Sequence, residues 1–287
     1  MSDPAIVAEG LTKRYGKKRA VSDLCLSIPR GSVYGFLGPN GAGKTTTMRM
    51  LTTLTAPTAG RAEVAGVAVT NRPALTERVG YLPADPPVFD ELTGWEQLRH
   101  VARLHGIPDD AADERIERLL DRFDLLADAD RHIESYSTGM CKKVGVVGAI
   151  LHEPAVVLLD EPTSGLDPRA ARTVRDMVAE LASGETTVFL STHVLPVADE
   201  LADTVGVIDD GRLVAEGTPD ELKARSVDDV DGETDLESVF MDVTTDDRPP
   251  ANGRASDRPD GSGDDRPDES EAEHASEGTH DRARIDS

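Results

Sequence analysis

The sequence contains few aromatic residues, few cysteines and no long apolar run. Of its 287 residues, 3% are aromatic and two are cysteines, Cys25 and Cys141. Two cysteines cannot build a disulfide framework, so we interpret both as small packing residues. The sequence has no stretch of about 18 apolar residues to span a bilayer, and its first residues lack the regions of a signal peptide. We therefore expect a soluble cytoplasmic protein that reaches a membrane only through a partner.

Basic residues are also scarce. The chain has 31 lysines and arginines against 54 aspartates and glutamates, which gives a formal net charge of −23. This excess of acid argues against nucleic-acid binding, because phosphates attract Lys and Arg. Two explanations of the acidity stay open. The protein is either an ordinary acidic cytosolic protein or a halophile-like one, adapted to a cytosol in which salt screens the self-repulsion.

The order of the apolar patterns predicts an α/β domain. Strand patterns come first, a helical block follows at residues 93–129, and the later part alternates between strands and helices, as in a parallel sheet covered by helices. The predicted strands are Ala5–Glu9, Val21–Ile28, Ser32–Leu37, Arg61–Val69, Val79–Leu82, Ala155–Leu159, Thr187–Leu190 and Thr204–Ile208, with a last hairpin at Val207–Glu216. The predicted helices are Lys44–Leu54, Gly94–His105, one around Ile116–Phe123, Thr138–Leu151, Pro168–Ala182, Leu195–Ala202 and a short one after Thr218.

Composition divides the chain into three parts. We predict one domain at residues 1–225, with an inserted helical subdomain at about residues 85–145. Residues 226–245 keep some apolar residues and form a predicted short extension. Residues 246–287 are dominated by Pro, Gly, Ser and charged residues and contain no aromatic residue. Such a segment buries too little apolar surface to order itself, which predicts a disordered acidic tail.

A glycine-rich loop lies between a predicted strand and a predicted helix. Residues 38–45 match the pattern G-x-x-x-x-G-K-[ST], whose glycines let successive backbone N–H groups point at phosphate oxygens. The helix that follows presents its positive N-terminal end to the same anion. Lys44 can reach the β- and γ-phosphates, the Thr45 hydroxyl can ligate Mg²⁺, and Thr46 adds a hydroxyl near the α-phosphate. The predicted nucleotide-binding residues of this segment are Gly38, Pro39, Asn40, Gly41, Ala42, Gly43, Lys44, Thr45 and Thr46.

Two carboxylates end a second apolar strand. Asp160 and Glu161 follow directly after Ala155–Leu159, and ligands bind at such strand ends in open α/β folds. Asp160 is suited to hold Mg²⁺, and Glu161 is suited to accept a proton from an attacking water. Alone, this pattern is better interpreted as a strand that simply ends at a polar turn. Together with the phosphate loop it predicts a site of phosphoryl chemistry.

From about Ala5 to Lys223 the sequence resembles the ATP-binding cassette (ABC) family of transporter ATPases. Residues 136–140 read YSTGM where the family has its LSGGQ signature, and they keep Ser137 and Gly139. The resemblance implies that these two residues face the ATP of a second cassette, and that Asp167 lies in the loop that crosses to it. His193 matches the histidine that contacts the γ-phosphate and would join Glu161 in catalysis. Tyr15 matches the aromatic on which adenine stacks, although a buried or turn tyrosine is the alternative.

The resemblance carries expectations about fold and function. It implies an α/β fold, with a P-loop NTPase core of the ABC ATPase type, an N-terminal antiparallel β subdomain and an inserted helical subdomain. It also implies Mg²⁺-dependent ATP hydrolysis that powers a membrane transporter of the exporter branch. The partners would be an integral-membrane permease and a second cassette, in a homodimer or heterodimer on the cytoplasmic face of the cell membrane. The alternatives are a soluble ABC ATPase outside transport and a regulatory nucleotide-binding subunit with weak hydrolysis.

The sequence departs from the family in three places. Ala84 stands where the family usually has a glutamine that ligates Mg²⁺ or positions water, and Asp85 is the nearest residue with a side-chain oxygen. Thr138 replaces the first glycine of the signature, and Met140 replaces its glutamine. These differences leave the two residues that contact nucleotide in place but predict altered activity or coupling.

Overall fold

A computed structural model describes residues 3–224 and Phe240 of the chain. The predicted acidic tail and the rest of the predicted extension lie outside the described residues. The strands in the described part are β1 (Ile6–Tyr15), β2 (Lys18–Ile28), β3 (Val33–Leu37), β4 (Ala59–Val64), β5 (Val67–Ala68), β6 (Val79–Leu82), β7 (Val156–Asp160), β8 (Thr187–Thr192), β9 (Thr204–Asp209) and β10 (Arg212–Gly217). The α-helices are α1 (Lys44–Leu51), α2 (Arg72–Thr76), α3 (Gly94–Leu104), α4 (Asp109–Arg122), α5 (Thr138–Ile150), α6 (Pro168–Ser183), α7 (Leu195–Leu201) and α8 (Pro219–Lys223).

The first sheet is antiparallel and has the strand order β2-β1-β4-β5. Its first hairpin turns between Tyr15 and Lys18, as predicted. The prediction of one strand at Arg61–Val69 is wrong, because the chain reverses at Ala65-Gly66 and Val64 pairs with Val67. The segment is therefore a hairpin of β4 and β5 at the edge of this sheet.

The second sheet has the order β10-β9-β3-β8-β7-β6 and is parallel except for β10. Strands β3, β7 and β8 are buried along their whole length, which explains why their sequences do not alternate between apolar and polar residues. In β8 an apolar centre is flanked by the buried polar residues Thr187, Ser191 and Thr192. The parallel order places the carboxyl ends of β3, β6, β7 and β8 at one edge. Gly38, Ala84, Glu161 and His193 follow these strand ends, so the topology gathers distant parts of the chain there.

The two faces of this sheet bury separate cores. Phe36 and Phe189 pack on the face that is shared with the antiparallel sheet and with α1, and their ring centroids are 5.2 Å apart. Leu159 and Leu190 pack on the opposite face, in a core with residues of α5, α6 and α7. Neighbouring residues of one strand thus serve different cores, as the two-residue repeat of a strand requires.

Helices α3 and α4 lie between strand β6 and helix α5 in the chain. Helix α3 begins at a capping box, in which Thr93 and Glu96 each accept a hydrogen bond from the other's backbone N–H. Leu98 of α3 and Ile116 of α4 are fully buried in the core that also contains α5. The two predicted helices are confirmed, whereas the short helix α2 was not predicted.

The structure agrees with the prediction for Cys141 and contradicts the prediction for Cys25. Cys141 is half-buried and packs against the core, as expected. The prediction that Cys25 is a packing residue is wrong, because side chains alternate along β2 and Cys25 lies on the exposed face.

Phe240 packs against the same core as α5. Among the described residues, no helix is long and apolar enough to cross a membrane.

Candidate nucleotide-binding and catalytic site

A cleft of 420 Å³ lies beside the glycine-rich loop. Most of the predicted nucleotide-binding residues line it, together with Glu161 and with Ala84, which stands in the place of the family's glutamine. The predicted residues that line the cleft are Tyr15, Pro39, Asn40, Gly41, Gly43, Lys44, Thr45 and Thr46. Gly38 and Ala42 are buried within the loop itself, so the structure gathers the predicted set around one space.

The loop owes its shape to its last glycine and to a hairpin turn nearby. Gly43 caps helix α1 with a φ of 115°, and a Cβ there would lie 2.6 Å from the carbonyl oxygen of Ala20, so only glycine fits. The N–H of Gly211, in the turn between β9 and β10, donates to the carbonyl of Ala42 at 2.8 Å. The Gly211 carbonyl in turn accepts from the N–H of Ser22 at 2.7 Å. The loop is thus fixed from both sheets before helix α1 begins.

Lys44 connects the loop to the second strand end. Its ammonium group is buried and donates to the carbonyls of Gly38, at 2.5 Å, and Pro39, at 3.3 Å. The Nζ atom also lies 3.5 Å from Oε1 of Glu161. The cation therefore sits between backbone acceptors of the loop and the carboxylate predicted to act as base.

Glu161 is held in an unusual backbone conformation. Its φ is 50°, and its N–H donates to the carbonyl oxygen and to Oγ of Ser191, at 3.1 and 3.2 Å. Such a conformation is strained for a non-glycine residue and persists only where its surroundings impose it. The Glu161 carboxylate lies between the His193 ring and the Lys44 ammonium. Nδ1 of His193 is 2.9 Å from Oε2, and Nζ of Lys44 contacts Oε1. Lys44, Glu161 and His193 thus form a chain of contacts at the cleft.

Asp160 has one carboxylate oxygen without a partner. The side chain is buried, and the Ser191 hydroxyl donates to its Oδ1 atom, whereas Oδ2 has no hydrogen-bond partner within the described residues. A buried carboxylate oxygen is costly unless a donor or a cation meets it. Oxygen ligands suit Mg²⁺, which is commonly bound through one or two carboxylates together with substrate phosphates and waters. Asp160, with the Thr45 hydroxyl at the cleft, fits such an ion. No group of three or more His, Cys, Asp or Glu side chains in the described chain could hold a metal alone.

Near β6, the structure contradicts the expectation for Asp85 and places one further residue, Tyr81, beside Asp160. Asp85 does not line the cleft, so it does not substitute there for the glutamine that Ala84 replaces. Tyr81, which no sequence pattern indicated, lies beside Asp160. Burial and that carboxylate raise the pKa of Tyr81 to about 12. Its hydroxyl therefore stays protonated at neutral pH.

Ser137, Gly139 and Asp167 lie outside this cleft. Ser137 is exposed and caps helix α5 by accepting from the N–H of Met140 at 3.2 Å, and Gly139 lies in the first turn of that helix. Asp167 is exposed and caps helix α6 by accepting from the N–H groups of Arg169 and Ala170. These hydrogen bonds, first of all that from Ala170, lower the pKa of Asp167. The sequence pattern did not indicate these two capping roles.

Tyr15 ends strand β1 at the border of the cleft. Its side chain is 49% exposed, so it is not a buried tyrosine, but it does lie at the hairpin turn, where it pairs with Lys18. The Lys13 ammonium lies 5.1 Å from the centroid of its ring, within cation–π range. The ring offers an aromatic surface beside the phosphate loop.

Comparisons with known proteins agree with this geometry. The family model described as "ABC transporter" matches residues 21–164. The chain is similar to the daunorubicin resistance ATP-binding protein DrrA3 of Streptomyces coeruleorubidus, with 46% identity over 79% of this chain and 72% of that protein. It is also similar to the bacitracin transport ATP-binding protein BcrA of Enterococcus faecalis, with 37% identity over 77% of this chain and 71% of that one. A solved structure described as the ATP-binding subunit of an ABC transporter superimposes with a TM-score of 0.76 and 28% identity, covering 83% of this chain and 99% of that chain.

Proposed function

The chain belongs to the ABC transporter family, as one of its ATP-binding subunits, and from this premise we propose that it hydrolyses Mg²⁺-bound ATP to power an exporter. The observation that carries the proposal is the position of the Glu161 carboxylate, between the Lys44 ammonium and the His193 ring at the edge of the cleft. The alternatives of a soluble ABC ATPase outside transport and of a weakly active regulatory subunit are not favoured.

Nucleotide binding rests on the loop and on helix α1. The backbone N–H groups after β3 and the positive end of the helix favour a polyphosphate. Lys44 lies inside the loop, where its ammonium can pass from the carbonyls of Gly38 and Pro39 to phosphate oxygens. Tyr15 provides a ring on which adenine can stack at the other side of the cleft.

Thr45 and Asp160 would hold Mg²⁺. The ion supplies positive charge to the phosphate oxygens, and its fit rests on the buried Oδ2 atom of Asp160 that has no partner among the described residues. Ser191 orients the carboxylate through its Oδ1 atom, and Oδ2 has no hydrogen-bond partner in the described chain.

Glu161 and His193 would carry the proton chemistry. The Glu161 carboxylate would accept a proton from an attacking water, and the Lys44 ammonium lies 3.5 Å from its Oε1 atom. His193 hydrogen-bonds to Glu161 through Nδ1, so its other ring nitrogen is left to meet the γ-phosphate. Most of the rate enhancement would come from positioning and from electrostatic stabilisation.

The partners follow from the exposed residues and from the relatives. Ser137, Gly139 and Asp167 lie away from the chain's own cleft, as expected of residues that face the ATP of a second cassette in a homodimer or heterodimer. The relatives' names refer to drug resistance and to bacitracin transport, which supports an exporter of drug-like or antibiotic molecules. An integral-membrane permease would bind the chain at the cytoplasmic face of the cell membrane. The net charge of −23 disfavours a nucleic-acid partner.

The proposal is tested by isolating partners of the tagged chain from native membranes. The Glu161→Gln variant is solubilised at high salt with Mg-ATP, and wild type and Lys44→Ala are processed in parallel. We expect a multi-spanning membrane protein in stoichiometric amount with all three, and a cassette dimer that Glu161→Gln retains and Lys44→Ala loses. Recovery of soluble proteins alone would refute the role in transport. Absence of Mg²⁺-dependent ATP hydrolysis by the wild-type complex would refute the ATPase.

A further inference from the structure

A second lysine, Lys142, is buried beside the catalytic carboxylate. It lies in the second turn of helix α5, and only 6% of its surface is exposed. A buried ammonium must be hydrogen-bonded to persist. Lys142 donates from Nζ to the backbone carbonyl of Glu161, at 3.0 Å, and to the backbone carbonyl of Ser164. Neither carbonyl belongs to α5, so the lysine joins this helix to the segment that follows β7.

The segment that Lys142 holds is the one that sets the position of Glu161. Glu161 has its strained φ of 50°, and the N–H of Ser164 donates back to the Glu161 carbonyl at 3.2 Å, closing a turn. Lys142 contacts both ends of this turn through a single group. Three carboxylates act on the ammonium, those of Glu161, Asp160 and Asp85. Burial lowers the pKa of Lys142, and these carboxylates oppose that effect.

Helix α5 begins at the residues predicted to face the second ATP. Ser137 caps the helix and Gly139 lies in its first turn, one turn before Lys142. A helix is a stiff element, so displacement of its N-terminal end moves Lys142 with it. Resting on the proposed function, we infer that Lys142 is a positioning residue for ATP hydrolysis, which fixes the Glu161 backbone relative to the helix that bears Ser137 and Gly139. Lys142 does not line the cleft, and its hydrogen bonds go to the backbone of the turn that begins at Glu161.

The adjacent lysine provides a matched control. Lys143 lies on the same helix and donates to the carbonyl of Phe123 at 2.8 Å, just beyond the end of α4. It therefore has the same chemistry and a similar bond to a carbonyl. Its charge acts on Asp167 rather than on the turn from Glu161 to Ser164, to which it makes no hydrogen bond in the described chain.

The test measures turnover and ATP affinity of the full chain in complex with its membrane partner. The variants are Lys142→Met, which removes the donors, Lys142→Arg, which keeps charge and donors, and Lys143→Met. We expect Lys142→Met to lower kcat by about 10- to 100-fold, because small displacements of a catalytic group have effects of this size. ATP affinity should change little, Lys142→Arg should recover part of kcat, and Lys143→Met should resemble wild type.

A double-mutant cycle separates positioning from general damage. If Lys142 acts through Glu161, then Lys142→Met lowers the residual turnover of Glu161→Gln by no more than about twofold. Lys142→Met with wild-type kcat, or with an equal loss in both backgrounds, would overturn the inference. If Lys142→Met does not fold, the same cycle is measured with Lys142→Gln. This variant keeps a hydrogen-bond donor, the amide NH2 group. Lack of hydrolysis in wild type and Lys143→Met would instead refute the proposed function.

Discussion

The two edges of the six-stranded sheet use their polar side chains differently. At the edge where the strands begin, Thr187 accepts from the N–H of Gly31 at 2.9 Å and Asp203 accepts from the N–H of Val33 at 2.8 Å. At the edge where the strands end, Asp160 and Glu161 interact mainly with other polar or charged side chains, and one oxygen of Asp160 has no partner in the described chain. The first edge satisfies backbone groups and so stabilises the fold. At the second edge, the strained Glu161 and the incompletely paired Asp160 lie side by side at the end of β7, next to the cleft residue Lys44.

The largest expected effect at the carboxyl edge is that of Glu161→Gln. This change removes the base but keeps the shape of the side chain, so kcat should fall by about 10²- to 10⁴-fold. ATP binding should persist, because the loop and Lys44 are unchanged. Steady-state ATPase assays with a parallel ATP-binding titration measure both. Normal hydrolysis by this variant would show that Glu161 is not the base.

A smaller effect at the same edge is expected from Ser191→Ala. The Ser191 hydroxyl donates to the Asp160 carboxylate and accepts from the backbone N–H of Glu161. It therefore orients the Asp160 side chain and the Glu161 backbone. Loss of a group that supports a metal ligand typically costs about 10- to 100-fold in metal affinity or activity. We expect the Mg²⁺ concentration for half-maximal ATPase activity to rise by such a factor. An unchanged Mg²⁺ requirement would argue that Asp160 does not bind the metal.

Thr187→Val tests the other end of the same strand, β8. Thr187 is fully buried, and its replacement by valine keeps the shape but leaves the N–H of Gly31 without this acceptor. The expected loss is about 1 kcal/mol of unfolding free energy, which lowers Tm by about 2–4 °C in a domain of this size. The kcat should stay at the wild-type value. A fall in kcat without a fall in Tm would break the distinction between the two edges.

A pH dependence of stability is expected at the edge where the strands begin. The Nε2–H group of His152 donates to the Val79 carbonyl at 3.3 Å, and the ring stacks on His105, with ring centroids 3.8 Å apart. Burial, and next the neighbouring His105, lower the pKa of His152 from 6.5 to about 4. The unfolded chain therefore takes up a proton that the folded chain refuses between these values, so Tm should fall as pH falls through this window. His152→Gln should flatten that part of the profile, whereas the exposed His100→Gln should not.

Much of the fold can be predicted from local sequence patterns, but the contacts between side chains at the site cannot. The capping box of α8, the apolar strand β7 and the phosphate loop lie within short stretches, so their patterns are visible in the sequence. The hairpin at Ala65-Gly66 was missed because its strands are short and read as one apolar stretch. The contacts of Glu161 with Lys44 and His193, and the role of Ser191, depend on which strand ends become neighbours in the sheet. No local pattern contains that information.

The turn at Gly211 has a consequence for protein engineering. Surface turns are the usual sites for inserted tags or reporter domains, because little packs on them. Here the Gly211 N–H and carbonyl join the phosphate loop to β2, and a Cβ at this glycine would lie 2.8 Å from the Ala20 carbonyl oxygen. An insertion at this turn would therefore disturb nucleotide binding, although it lies far along the sequence from the loop. The turn at Gly106, between α3 and α4, has open space around it and is the better insertion point for a fluorescent reporter.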